Sequence, residues 1–498
     1  RCDGGGGYPR RHGPIGQEND VQTWDQLFIG GAWVEPSGDD RIEVHSPATL
    51  ELVGSVPEAT ESDMDKAVAA GRRLMDSGAY VAMGPEARAD SLRKLNDLIG
   101  GRLDDFATTI SNENGSPMLF SQMGQVGAAM LNLGTFDALT REFDWEVRRE
   151  GAMGGPVIVR HEPVGVVAGI VPWNVPLYLA ANKLAMAIAA ACPIVLKPAP
   201  ETPLDGFMLA ERVDQLGLPE GAVSILPAGR EVGEHLVRHD GIDKVSFTGS
   251  TAAGRAIGAI CGYDLKRCTL ELGGKSAAIV LEDADLDAVV PQLMMAGLMN
   301  NGQACVAQTR ILVPKSREAE MNEAIAEAVA GQTVGDPLDM STAVGPLVAE
   351  RQRDRVEGYL QAGRDEGATV AVGGGRPDGL DTGWFVEPTL FTGVDNRMTI
   401  AREEIFGPVL VSIPYGSTDE AVQIANDSEY GLSGSVWTAD AERGLDVARR
   451  VRTGTFNINT FALDPVAPFG GFKNSGVGRE FGPEGLAAFC ELKTISGA

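Results

Sequence analysis

Between residues 164 and 281, short runs rich in Val, Ile, Leu and Ala alternate with stretches whose apolar positions recur every three or four residues. The short runs predict strands at 164–171, 194–197, 222–227, 244–247, 269–271 and 277–281, and the stretches between them predict helices at 178–191, 203–216, 231–238 and 251–260. Parallel strands need crossover helices, so this alternation predicts a parallel sheet covered on both faces. Ligands of such sheets sit beyond the carboxyl ends of the strands.

Upstream, residues 27–34 alternate like a short strand pair around Gly30 and Gly31, and residues 61–110 carry helical spacing with few breakers. Downstream, a second α/β region is predicted from Lys275 to about Asn459, with a helix at 317–330 and strands at 409–413 and 434–438. The two α/β halves differ too much in spacing to be duplicates.

Charge and composition narrow the function classes. The 498 residues hold 69 Asp and Glu against 42 Lys and Arg, a formal net charge of −27, which repels polyanions and argues against a nucleic-acid partner. Pro172, Asn174, Pro176, Asn182 and Lys183 interrupt the longest apolar stretch, so no membrane span of about 18 to 20 residues is expected. Six cysteines at positions 2, 192, 261, 268, 305 and 490 show no paired CxxC spacing. That sparseness argues against a disulfide framework or a metal site and fits a reducing cytoplasm. Residues 1–20, with Gly4 to Gly7 and no apolar core, read as a flexible leader rather than a secretory signal.

Four local patterns have chemical potential, and each has a plain structural alternative. Phe247-Thr-Gly-Ser-Thr-Ala-Ala-Gly254 ends a predicted strand and opens a predicted helix, so Gly249, Ser250 and Gly254 suit an anion at a helix N-terminus. It has neither the usual Gly-x-Gly-x-x-Gly spacing nor a P-loop ending, and an ordinary strand-to-helix turn explains it as well. Cys305, in Asn300-Asn-Gly-Gln-Ala-Cys305, fits a nucleophile in a polar approach or an inert core thiol. Glu271 closes a predicted buried strand, where a carboxylate is a general base of raised pKa or one half of a structural pair. Asn174, after Pro172 and Trp173, either donates to an oxyanion or simply forms a turn.

Taken together and in order, Pro172-Trp-Asn174, Lys197-Pro-Ala, Phe247-Thr-Gly-Ser250, Glu271-Leu-Gly-Gly-Lys275, Gly302-Gln-Ala-Cys305, Glu403-Glu-Ile-Phe-Gly-Pro408 and Pro468-Phe-Gly-Gly471 resemble the NAD(P)-dependent aldehyde dehydrogenase superfamily. The resemblance spans Leu27 to the C-terminus. It implies an α/β fold with a Rossmann-like parallel-sheet coenzyme domain at 21–142 and 162–272 and a second α/β catalytic domain at 273–459. A β-hairpin oligomerisation arm at 143–161 and 486–498 completes it, with a homodimer or homotetramer as the expected assembly. The implied reaction is oxidation of an aldehyde to the free acid through a cysteine thiohemiacetal and thioester. Cys305 would be the nucleophile, Asn174 and the Cys305 N–H the oxyanion donors, and Glu271 the base that activates water. Lys183 and Glu480 look like proton-exit partners. The family pattern further implies NAD contacts from Lys197, Gly249, Ser250, Gly254, Trp173, Glu404 and Phe406, and no metal. A transfer of the acyl group to coenzyme A loses weight because relatives doing so generally lack the glutamate. A catalytically silent NAD-binding scaffold has no need for Cys305, Glu271 and Asn174 at once.

One departure touches cofactor choice. NAD-preferring relatives commonly carry a glutamate three residues after the motif lysine, whereas Pro200 stands there and Glu201 follows, so NAD ranks first with NADP possible. Motif matching predicts Leu177, Tyr178, Asn182, Ala304, Val306, Phe461, Ala462 and Leu463 around the substrate, a mostly apolar set suited to an aliphatic or aromatic aldehyde. No dedicated arginine for a substrate carboxylate is evident, Arg310 or a residue the sequence does not place being left for that role.

Overall fold

A computed structural model describes residues 21–497; the leader reading at 1–20 lies outside them. Among the described residues, an eight-stranded sheet runs in the order Gly476–Val477, Arg267–Glu271, Lys244–Thr248, Val167–Ile170, Ile194–Lys197, Val223–Ile225, Leu27–Ile29 and Ala32–Val34. Its five inner strands are parallel and its edges antiparallel. These inner strands are almost wholly buried, as a sheet covered on both faces requires.

From Val167–Ile170 the chain moves outward through Ile194–Lys197 to Val223–Ile225, then returns to Lys244–Thr248 on the other side of the first strand. That reversal creates a crevice between the carboxyl ends of Val167–Ile170 and Lys244–Thr248, where Trp173-Asn174 and Gly249-Ser250 emerge. The predicted strand at 164–171 begins three residues late. Gly165 has φ +126°, and the Val166 N–H donates to the Asp243 carboxylate at 2.7 Å, outside the ladder. The following helix starts at Pro176, earlier than expected, since proline fits a first helical turn.

The helical pattern at 61–110 is divided into Glu61–Ser77, Ala79–Ala82, Gly84–Gly100 and Leu103–Asn114, with left-handed Gly78 and Gly84 at two of the breaks. Thr60 and Asp63 form a reciprocal cap at the start of the first. A second sheet of seven strands runs Thr369–Val372, Thr389–Thr392, Val409–Tyr415, Arg310–Pro314, Ala277–Val280, Gly434–Trp437 and Asn457–Ile458. Away from both, Cys490–Ser496 pairs with Pro156–Pro163, which pairs with Glu146–Glu150. The last of these strands leaves one hydrogen-bonding edge open. Among the described residues, no helix is long and apolar enough to cross a membrane.

Candidate active site

The two sheets place the candidate residues around one cleft. Asn174 and Glu271 follow or end strands of the first sheet, and Cys305 precedes Arg310–Pro314 of the second. All three line a cavity of about 820 Å³.

Asn174 is buried, and its side-chain amide donates one hydrogen bond to the Gln303 carbonyl at 2.9 Å. A carboxamide has two N–H groups, so the second remains for the cavity. Burial raises the Cys305 thiol to about 12, with further upward pushes from Glu404 and Glu271. Burial and the two neighbouring carboxyls thus favour the protonated thiol in the ligand-free site.

Glu271 is 2% exposed, and neither carboxylate oxygen has a hydrogen-bond partner among the described residues. Burial holds its pKa well above the ordinary carboxylate range, Glu480 adds to the rise, and Lys183 and Arg479 oppose it. An unpartnered carboxyl at a cavity wall is free to take a proton from water or thiol. Behind it, the Lys183 ammonium donates to Glu480 at 2.7 Å, Thr248 at 2.9 Å and Ser246 at 3.1 Å. Glu480 also accepts from Asn182 at 2.7 Å and Ser246 at 2.9 Å. This ion pair is completely enclosed, and Thr248 lies opposite Glu271 across the parallel ladder.

The crevice fits a dinucleotide by its donor set. Helix Thr251–Asp264 points its N-terminus into it, with exposed Ser250 capping the Ala253 N–H at 3.3 Å. A side chain on Gly249 would strike the Phe247 ring at 2.5 Å. Lys197 is buried, donates to the carbonyls of Ala228 at 2.7 Å and Pro198 at 3.2 Å, and is pushed down to about 8 by burial. Glu404 accepts from the Gly274 N–H at 2.8 Å and is pushed up to about 7 by burial. Trp173 and Phe406 meet edge to face at 5.3 Å, Phe406 in the left-handed region with φ +63°. Gly254 is set apart from the rest. It is buried one turn into the helix, where a Cβ would meet Leu272 at 2.4 Å, so it serves packing rather than the open end.

Three substrate-wall expectations change. Tyr178, Ala304, Val306, Phe461, Ala462 and Leu463 line the cavity, but Leu177 is buried in the core behind it and Asn182 is spent on Glu480. Arg310 is not available to a substrate. Its guanidinium is buried and donates to the carbonyls of Lys275, Ile424 and Ala425 and to Asn396. Glu201 pairs with Arg351. Unforeseen were Leu119, Phe120 and Met123 from residues 117–127, and Met294, Met295 and Leu298 from helix Leu286–Leu298. Exposure of Leu119 at 50% and Met123 at 69% marks an apolar face with no protein cover. Among the described residues, no Arg, Lys or His lines the cavity.

A cysteine and a buried, unpartnered glutamate on one cavity, beside a crevice whose donors suit a dinucleotide, fit the class of dinucleotide-dependent oxidoreductases. The comparisons with known proteins carry this further. The Aldehyde dehydrogenase family model matches residues 33–495. A geranial dehydrogenase from Castellaniella defragrans is 48% identical over 94% of this chain and 98% of its own. The crystal structure of a Mycobacterium tuberculosis aldehyde dehydrogenase complexed with NAD+ is 49% identical, covering 96% of this chain and 99% of that one, with a TM-score of 0.95. An aldehyde dehydrogenase mutant from Pseudomonas syringae, solved with NAD+ and octanal, is 39% identical over 95% of this chain and 96% of its own, with a TM-score of 0.91. The chain belongs to the aldehyde dehydrogenase family, and it is an enzyme that oxidises an aldehyde with NAD.

Proposed function

We propose that Cys305 is the nucleophile, Asn174 the side-chain oxyanion donor, and Glu271 the base of an aldehyde oxidation that ends in a free carboxylic acid. The single observation that carries this is the Glu271 carboxyl, buried at the cavity wall beside Cys305 with no partner of its own. Glu271 takes the thiol proton as Cys305 Sγ bonds to the aldehyde carbon. The oxygen of that adduct sits against the free Asn174 N–H and the Cys305 backbone N–H. Bound NAD supplies the acceptor for the hydride. Glu271 then orients a water and removes its proton, so that hydroxide replaces Sγ at the acyl carbon, the acid leaves, and the thiol regains a proton. Lys183 steadies the charge on Glu271 against the opposing push of Glu480, and the enclosed pair leads its proton away. Lys197 and Glu404 hold the ribose hydroxyls, Gly249 and Ser250 the pyrophosphate, and Trp173 and Phe406 flank the ring. Gly254 shapes that turn from within the helix.

The substrate is an apolar aldehyde. Methionines, leucines and phenylalanines form the wall, no cation lines it among the described residues, and similar proteins act on geranial or are solved with octanal. NAD ranks ahead of NADP. The protein works in the cytoplasm as a homodimer or homotetramer, its open-edged strand Glu146–Glu150 joining subunits. Comparing kcat/KM for geranial, octanal, benzaldehyde and succinic semialdehyde with each cofactor tests the reading. Preference for the semialdehyde overturns the substrate class, and preference for NADP overturns the cofactor order.

A further inference from the structure

The two oxyanion donors assigned above come from different sheets. Asn174 follows strand Val167–Ile170 of the first, whereas the Cys305 loop leads into strand Arg310–Pro314 of the second. Misplacing a reacting group by about 1 Å costs roughly 100-fold in rate, so these donors need a common anchor.

Such an anchor is present. The Asn174 backbone carbonyl accepts from Asn300 Nδ2 at 2.8 Å and from Asn114 Nδ2 at 3.2 Å. The same Asn300 amide reaches the Gln303 carbonyl at 3.2 Å, the carbonyl that also accepts from Asn174 Nδ2. A closed set of bonds therefore ties the backbone and side chain of Asn174 to the cysteine loop. The Ser116 hydroxyl donates to Asn300 Oδ1, fixing which way the carboxamide faces. Next door, Asn301 Nδ2 donates to Gly115 and Pro346 at 2.8 Å each, and its Oδ1 accepts from Gly345 N at 2.6 Å. Asn114, Ser116, Asn300 and Asn301 are all at most 2% exposed. Both residues of the pair are left-handed, at φ +50° and +61°, a conformation that asparagine tolerates better than most residues but one that still needs support.

We propose that Asn300 is a positioning residue for the oxidation, locking the Asn174 donor of one sheet onto the cysteine loop of the other, with Asn114 as the second arm of the clamp. This rests on the assignment of Cys305 and Asn174 made above. Its role is to aim a donor. It is not needed to present sulfur or to hold the dinucleotide. Reactions that develop an oxyanion therefore need the clamp, and reactions of the same sulfur that develop none do not.

Asn300→Gly tests this, because glycine keeps the left-handed backbone without strain and deletes only the carboxamide. Aldehyde oxidation and p-nitrophenyl acetate hydrolysis, both passing through a tetrahedral oxyanion, are expected to slow together by about 10- to 100-fold. Alkylation of Cys305 by iodoacetamide is a direct displacement and should stay within about twofold of the unaltered protein, as should NAD affinity read by tryptophan quenching. An equal fall in alkylation, or no fall in the two oxyanion reactions, overturns the proposal. Should Asn300→Gly not fold, Asn114→Ala leaves the left-handed pair intact and must show the same split, with a smaller loss. Failure of the underlying assignment shows itself separately, as oxidation that survives Cys305→Ala in an otherwise unaltered protein.

Discussion

Replacing Glu480 by glutamine probes how the buried carboxyl of Glu271 is tuned. Glu480 is the second cause, after burial, of the rise in the Glu271 pKa, and it neutralises Lys183 at 2.7 Å. The change removes the negative neighbour and leaves the Lys183 ammonium less compensated, so both consequences stabilise an ionised Glu271. Unit charges about 5 to 8 Å apart at an effective dielectric near 20 interact by about 2 to 3 kcal/mol. The acid limb of kcat therefore moves down, by about one pH unit for each 1.4 kcal/mol of interaction removed. The assay is the pH profile of steady-state turnover, beside the rapid first-turnover burst of reduced cofactor that isolates acylation. The acid limb of turnover should shift downward in Glu480→Gln and vanish in Glu271→Gln. A limb that stays put or moves upward refutes the coupling of these two carboxyls. The substitution also leaves a buried lysine without its carboxylate, for which losses of about 3 to 5 kcal/mol are typical, so the melting temperature is followed in parallel.

Glu271→Gln itself should raise the melting temperature. A carboxyl whose folded pKa is raised contributes stability that is intact below the unfolded value of about 4.5 and lost as pH rises through the folded value, so the variant's advantage grows above pH 4.5; a gain that shrinks with pH contradicts this. With its thiol pushed up to about 12, ligand-free Cys305 holds roughly one thiolate in ten thousand at pH 8, and iodoacetamide labelling followed by mass spectrometry should accelerate continuously to pH 10; a plateau below pH 8 rules out that environment. Leu119→Arg places a cation on the exposed apolar wall and should raise kcat/KM for succinic semialdehyde relative to octanal by about two- to fivefold, since an ion pair at so exposed a position contributes about 0.5 to 1 kcal/mol. An unchanged ratio would show that the wall does not meet the substrate's distal end.

Residues that spend their chemistry at one point in the chain were the ones legible from sequence. Glu271 ends a strand, Asn174 follows one and Cys305 precedes one, each in a short motif, and period-two and period-three-to-four patterning placed those strands within a few residues. Fold class followed from the same alternation, because buried parallel strands have few polar alternatives. The leader at 1–20 lies outside the described residues, and the strand at 164–171 was shortened by a left-handed glycine.

What escaped the sequence depends on partners distant in the chain. Asn300 reaches residue 174, Asn301 reaches 115 and 346, and Asn182 turns to 480, so none of their roles has a local pattern. Arg310 was open to a substrate carboxylate by type alone, yet four acceptors from two loops and the helix Thr418–Asn426 absorb it. Leu119 and Met123 were missed for the opposite reason. Apolar side chains at helical spacing signal a core, and only the fold reveals that here nothing covers them but the space a substrate would fill. The sequence motifs thus locate the proposed reacting groups, while tertiary contacts decide how firmly each is held and which apolar face is left for a ligand. The clamp at Asn300 belongs to the first of those decisions and the Leu119 wall to the second, which is why variants at the two sites should separate rate from selectivity.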